Sequence, residues 1–183
     1  TVEGIKTTAL HKTLGISVKK HFKNNPCIAE SILYLKSHNF DVEKLEKIND
    51  ELYSQLNFGI THSEYKYFKG EFYLIESAAR GGGNHISSHI IPEISGIDAN
   101  FELINMVLGK SKEFILEIKK TKSVALVFFN FRSGKVKTLE GEELLKDSEF
   151  ILDYGFEFKS NSEIFPVIDD RTRCGYFIIS TDN

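Results

Sequence analysis

The stretch from Ile60 to Ser77 constrains the fold most. Ile60–Phe68 and Glu71–Ser77 are two strand-like runs joined by Lys69-Gly70, and glycine accepts the positive φ that a tight hairpin turn requires. This part of the chain is therefore committed to an antiparallel sheet. Just upstream, Asp41–Leu56 carries the clearest helical pattern. Asp41 suits the N-cap, and Val42, Leu45, Ile48, Leu52 and Leu56 recur at helical spacing with charges on the other face.

The flanks extend this pattern. Val2–Ile5 and Gly15–Lys20 read as strands, and a helix is predicted after Pro26 over Ala29–His38, where Ile28, Ile32 and Leu35 share a face. After the hairpin comes a flexible loop, Arg80-Gly81-Gly82-Gly83-Asn84. Helices are predicted over Ser87–Ile94 and Ala99–Leu108, the second capped by Asp98 and stopped by Gly109. From Phe114 onward the chain reads mostly as β. Val124–Phe131 and Lys135–Leu139 flank a turn at Arg132-Ser133-Gly134, a short helix covers Gly141–Lys146, and Phe150–Phe158 and Gly175–Ser180 are further strands. The class is α+β with antiparallel pairing.

Composition narrows the function classes. A chain of 183 residues holds one good core or two small ones. Its 15 Phe and 7 Tyr supply the apolar area that offsets chain entropy, which argues against disorder. No run approaches the roughly 20 apolar residues of a membrane span. The net charge of −3, from 23 basic against 26 acidic residues, argues against a general nucleic-acid binder. Cys27 and Cys174 read as reduced core thiols of a cytoplasmic protein, without the spacing of a zinc site. The chain opens at Thr1 inside an apparent strand, and the expectation is a piece of a longer protein.

The chemistry concentrates around the hairpin. Glu64 and Glu76 lie on its two arms, and in a regular hairpin they are expected opposite one another on one face. Two opposed carboxylates repel unless a cation lies between them. Hard oxygen ligands beside a glycine-rich loop and Arg80 suit Mg²⁺ bridging nucleotide phosphates. The competing reading keeps both as solvated strand residues with Arg80 as a surface partner. Glu71, in the same hairpin, reads as a turn-flanking charge. Glu76, in contrast, ends the apolar run Phe72–Ile75, which reads as a buried strand, and a charge at such an end calls for a partner. The amides of Gly81–Gly83 can approach an anion closely, or the segment is simply a helix-entry loop. His85 and His89 have a metal-ligand spacing but lack a third ligand, so His89 reads as helical surface. Val18–Lys23 forms a small basic cluster, Glu3 reads as a surface strand carboxylate, and Arg171 and Arg173 as residues that pin a turn.

Three runs together carry a resemblance. Gly59-Ile-Thr-His-Ser-Glu-Tyr-Lys66, Gly70-Glu-Phe-Tyr-Leu-Ile-Glu-Ser-Ala-Ala-Arg-Gly-Gly-Gly83, and Gly96-Ile97-Asp98 with Leu108-Gly109 resemble the C-terminal half of an ATP-grasp domain. The superfamily includes biotin carboxylase, the large chain of carbamoyl-phosphate synthase and the L-amino-acid ligases; the carboxylate–amine ligases fit best. The resemblance implies a C-terminal grasp subdomain over 1–111 and a small β-rich domain over 112–183. It implies Glu64 and Glu76 as ligands of Mg²⁺ (or Mn²⁺), Arg80 as the catalytic cationic residue that steadies the transferred phosphoryl group or the acyl-phosphate, and Lys20, His21 and Ile75 at ATP and its phosphates. It places Gly81, Gly82, Gly83, Asn84 and His85 at the acceptor or acyl-phosphate. ATP is the implied co-substrate, small carboxylates and amines the partners, with the N-terminal part of the same protein missing, and a homodimer, no nucleic acid and no membrane are expected. Where such enzymes often carry Asn two residues after the second Glu, this chain has Ala78. The isolated fragment is expected to be inactive and to bind ATP weakly or not at all. A second function, a non-catalytic regulatory or scaffolding domain, is favoured by Ala78 and opposed by the acid pair with Arg80. A third, a β-rich binding module unrelated to ATP, requires the two Glu side chains on opposite faces.

Overall fold

The computed structural model describes residues 1–110, 118 and 122–182. The chain forms two compact units, Thr1–Ser17 with Tyr34–Lys122 and Val18–Leu33 with Ser123–Asn183. This differs from the division expected between 111 and 112: the chain enters the second unit early and returns. Residue 111 itself, and the start of the β-rich stretch at Phe114, lie outside the described residues. The architecture is α+β with antiparallel pairing.

In the first unit, β1 (Val2–Lys6) pairs with β2 (His11–Phe22) on one side and β4 (Gly59–Phe68) on the other, and β4 pairs with β5 (Glu71–Ala78). The order is thus β5-β4-β1-β2, every pair antiparallel. Register decides the faces. Val2 stands opposite Ile16 and Ser63, while Glu3 stands opposite Gly15 and His62. Since successive side chains alternate, these two sets point to opposite faces.

The Val2 face is covered by α1 (Val42–Leu52). Its Leu45 packs with Val2 and Ile16, edged by Phe40, Val42, Tyr65 and Phe72. Asn49, fully buried, accepts hydrogen bonds from Ser63 Oγ and from Tyr65 Oη at 3.0 Å. His11 ties the same helix to the sheet, contacting Asp50 at 2.8 Å and Thr61 at 2.9 Å. Asp41 caps as expected, its carboxylate accepting from the Lys44 amide at 2.9 Å. The helix stops at Leu52, short of Leu56. Bonds from the Ser54 amide to Glu51 and from the Leu56 amide to Tyr53 tighten the chain into turns before Gly59, whose φ is +150°.

Over Gly15 on the Glu3 face lies a π-helical turn (Ile86–Ile90) running into α2 (Ile91–Ser95). A methyl at Gly15 would meet Ile91 and Ile94, so the glycine lets the helix sit against the strand. Then α3 (Ala99–Val107) starts at the Asp98 cap and ends before Gly109, φ +65°, as the sequence predicts.

The predicted helix over Ala29–His38 is instead β3 (Asn25–Tyr34). A separation of four residues, as between Ile28 and Ile32, is common to the helical period and to strand alternation, so the spacing does not discriminate. Ile28, Ala29, Ser31, Ile32 and Tyr34 are all buried, the pattern of a strand covered on both sides, while Cys27, expected in the core, lies at the exposed start of the strand and only Cys174 is buried.

The second unit orders its strands β2-β3-β6-β10-β8. Here β6 is Ser123–Phe128, β8 Ile151–Phe156 and β10 Gly175–Thr181. Leu126 stands opposite Ile178, both fully buried. The short helix α4 (Glu142–Lys146) forms where expected. The turn at Arg132-Ser133-Gly134 does not join a hairpin. β6 pairs with β10, while β7 (Gly134–Lys135) pairs with β9 (Glu163–Ile164). Turn residues mark a reversal, but buried apolar faces choose the partner. Arg173 stacks on Phe128 at 3.6 Å, pairs with Asp170 at 3.0 Å and donates to the Ala29 carbonyl at 3.1 Å, which pins the turn before β10. Among the described residues no helix is long and apolar enough to cross a membrane.

Candidate functional site

The hairpin is not regular, and its irregularity makes the site. Phe68, Tyr67, Lys66 and Tyr65 face Glu71, Phe72, Tyr73 and Leu74, as a two-residue turn dictates. Continued unbroken, that register would set Glu64 opposite Ile75 and turn Glu76 to the other face. A bulge between Glu64 and Tyr65 shifts it by one residue, and Glu64 stands opposite Glu76. The expectation of opposed carboxylates thus holds, through a bulge rather than through the regular hairpin. Ile75 is the extra residue and is 65% exposed; Tyr73 and Leu74 are exposed as well, so the strand expected to be buried is open.

From Glu76 a line of polar groups crosses one face of three strands. Ala78 faces His62, His62 faces Glu3, and Glu64 lies two residues from His62. His62 donates from Nδ1 to Glu3 Oε1 at 2.6 Å, and its Nε2 reaches Glu64 Oε1 at 3.4 Å. Glu3 is only 2% exposed, and its Oε2 accepts the Gly82 amide at 3.2 Å. Burial alone would push the His62 pKa down, but the hydrogen bonds and charges of Glu3 and Glu64 outweigh it and raise it from 6.5 to about 9. The imidazole is therefore a buried cation between two carboxylates. Nearby, Tyr34 is fully buried; burial, with the charge of Glu3, holds its phenol well above 10.

The loop after β5 is fitted to this line. Two of its three glycines face obstacles. A Cβ on Gly82 would lie 2.8 Å from Glu3 Oε1 and 3.1 Å from Oε2, and one on Gly81 would collide with Ser87. Gly83 has nothing within 4 Å. Ser87 Oγ donates to the Gly82 carbonyl at 2.8 Å. Gly82 is thus held at both its amide and its carbonyl. Of the amides expected to meet an anion, this one is engaged by Glu3. Asn84 and His85 follow with positive φ of 51° and 62°, turning the chain into the π-helical segment. The His85 and His89 rings meet edge-on at 5.1 Å.

Arg80 is 58% exposed; it pairs with Glu76, itself 52% exposed, at 3.3 Å and donates to the Gly81 carbonyl at 3.0 Å. An ion pair this open contributes little to stability, which leaves both groups available to a ligand at small cost. Ala78, which takes the place of an expected Asn ligand, offers only its backbone carbonyl, 3.4 Å from Tyr53 Oη.

Glu64, Glu76, Arg80 and the Gly81–Asn84 loop with His85 all belong to the first unit. Lys20 and His21 belong to the second; Lys20 pairs with Glu30 at 3.1 Å. Two residues of the polar line were not singled out as functional by sequence. Glu3 reads as a surface carboxylate but is buried, and His62 appears there only as part of a motif. A signal existed: Glu3 sits between Val2 and Ile5 in a strand buried along its whole length, and a His two residues before a Glu on a strand shares its face.

Neither a protein-family model nor a curated relative matches the chain. Solved structures do. An L-amino acid ligase from Bacillus licheniformis superposes over 100% of this chain and 48% of its own, with a TM-score of 0.82 at 21% identity. A phosphoribosylglycinamide synthetase from Anaerococcus prevotii matches 100% of this chain and 48% of its own, at 0.73 and 13%. The biotin carboxylase domain of a Hydrogenobacter thermophilus 2-oxoglutarate carboxylase, solved with MgADP, ADP and bicarbonate, matches 99% of this chain and 41% of its own, at 0.63 and 14%. The chain spans about half the length of these proteins. They are ATP-grasp enzymes, and this chain has their fold.

Proposed function

We propose that this chain is the C-terminal half of an ATP-grasp carboxylate–amine ligase, contributing the metal carboxylates and the acceptor loop. The observation that carries the reading is the bulged register that turns Glu64 and Glu76 to one face, next to a glycine loop anchored on the same face. Opposed carboxylates with no function would be a net cost, since like charges directly opposite destabilise a sheet. Arg80 and His62 each offset part of that cost, and a cation held by both carboxylates would offset the rest.

The donor set fits Mg²⁺ in part. Glu64 and Glu76 are hard oxygen ligands, and with Ala78 in place of a third protein ligand the remaining positions would fall to phosphate oxygens and water. Bound there, Mg²⁺ would neutralise charge on the nucleotide phosphates. The protein's own residues do the rest. Arg80, on its exposed stem, leaves Glu76 to meet the charge of a transferred phosphoryl group. The loop Gly81–Asn84 and His85 borders the carboxylate that is phosphorylated and the amine that displaces the phosphate. Ile75, thrust out by the bulge, offers an apolar contact to the nucleotide. Lys20 and His21 belong to the other unit and are not part of this set. The small β-rich domain, the acyl-phosphate route, the cytoplasmic setting and a homodimer belong to the same proposal.

The test is Glu76→Gln in the full-length protein. ATP turnover should fall at least a hundredfold with the fold intact, and wild-type turnover would sink the assignment. A non-catalytic regulatory domain remains the second reading, favoured by Ala78; it predicts no Mn²⁺ binding at Glu64 and Glu76 with or without nucleotide.

A further inference from the structure

We infer that His62 is a positioning residue, a two-ended strut that holds the Glu64 carboxylate and, through Glu3, the glycine loop in one fixed relation. The inference deepens the ligase reading and rests on it only for the metal that Glu64 would hold.

The geometry is a continuous path from Glu64 to His62 to Glu3 to the Gly82 amide, with contacts of 3.4, 2.6 and 3.2 Å. Each link is fixed by backbone. Glu3 and His62 are register partners on adjacent strands, and His62 and Glu64 are two apart on one strand. The His62 carbonyl accepts from Tyr53 Oη at 2.7 Å, which holds the strand at that point. Beyond Glu3 the loop has little freedom, because the Gly82 carbonyl is taken by Ser87 and the missing Cβ of Gly82 leaves only the room Glu3 occupies.

The residue type follows from the task. An apolar side chain at 62 would leave the Glu3 carboxylate buried without its partner, a costly state. Lys would neutralise it but carries its donors on one flexible point charge rather than at two fixed edges. A planar ring with donors at two edges reaches Glu3 with one and Glu64 with the other. Groups behind metal ligands that orient them in this way commonly change metal affinity tenfold or more when removed.

Asparagine and glutamine separate the two ends. The Asn amide occupies about the place of Nδ1 and the Gln amide that of Nε2. Two readouts are taken in the full-length protein: hydrogen exchange at the Gly82 amide, and Mn²⁺ affinity by electron paramagnetic resonance, with the Ile178 amide as a reference for global folding. His62→Asn should keep Gly82 protected within about threefold while Mn²⁺ affinity falls about tenfold. His62→Gln should do the reverse, with Gly82 exchange at least about tenfold faster and Mn²⁺ affinity within about threefold. His62→Leu should lose both. The strut is overturned if Asn and Gln move the two readouts together, or if neither variant moves either. If the wild-type protein binds no Mn²⁺, the ligase reading fails on that ground, and Gly82 exchange in the Asn and Gln variants still decides the Glu3 end.

Discussion

Replacing Gly82 by alanine adds one methyl where the structure has least room. The new Cβ would lie 2.8 Å from Glu3 Oε1, 3.1 Å from Oε2 and 3.2 Å from Cδ. Contacts under 3.0 Å have to be relieved by movement, and here the obstacle cannot swing away. Glu3 is buried, its Oε1 bound to His62 at 2.6 Å and its Oε2 to the Gly82 amide itself at 3.2 Å. Relief has to open one of these charge-assisted bonds, worth about 1.5–3 kcal/mol each, or displace the loop, which overpacking elsewhere prices at about 1–3 kcal/mol. The two routes are alternatives, so the expected loss is about 2 kcal/mol. At about 2–4 °C per kcal/mol for a chain of this size, the melting temperature should fall about 4–8 °C. Gly83→Ala is the internal control, since its Cβ meets nothing, and it should melt at or slightly above the wild-type temperature. Shortening the obstacle in the double variant Glu3→Asp, Gly82→Ala should recover part of the loss, giving a coupling of about 1 kcal/mol. Thermal unfolding followed by circular dichroism reads these four proteins and the Glu3→Asp single variant that closes the cycle. A Gly82→Ala variant that melts with Gly83→Ala would refute the claim that Glu3 occupies the place of that side chain.

Three further outcomes are expected. His62 has its pKa raised from 6.5 to about 9, so its contribution, on the order of 3 kcal/mol, is fully present below about pH 6.5 and disappears as pH rises through about 9. Urea unfolding at about pH 6 and about pH 9.5 should show the gap between wild type and His62→Leu closing at the higher pH, and an unchanged gap would contradict the assignment. Gly175 has φ +131°, and a Cβ there would run into the Gly155 backbone and lie 2.9 Å from Phe156 Cα; Gly175→Ala should cost about 4 kcal/mol or more, seen as loss of the unfolding transition or a much lower midpoint. Deleting Ile75 removes the bulge while leaving Glu76 opposite Glu64, so the deletion should fold with a melting temperature within about 5 °C of wild type, whereas inserting a second residue beside Ile75 should turn Glu76 away and abolish Mn²⁺ binding.

What the sequence by itself determined is whatever rests on neighbours along the chain. Lys69-Gly70 fixed a hairpin because two residues of positive φ, 50° and 84°, close a turn without help from elsewhere. Asp41 and Asp98 fixed helix starts because a cap needs only the next turn, and the acid pair, Arg80 and the glycine loop were legible because they lie within twenty-odd residues. Tertiary structure decided what depends on which faces meet. The segment Asn25–Tyr34 became a strand because it is buried on both sides, and β6 chose β10 over its neighbour across the turn because Leu126 and Ile178 bury one another. Most telling is Glu3. In sequence it is one carboxylate near one end of the chain, without a partner nearby. Its carboxylate can be buried only because folding brings His62 from 59 positions away to Oε1 and Gly82 from 79 away to Oε2, and no local pattern carries that information.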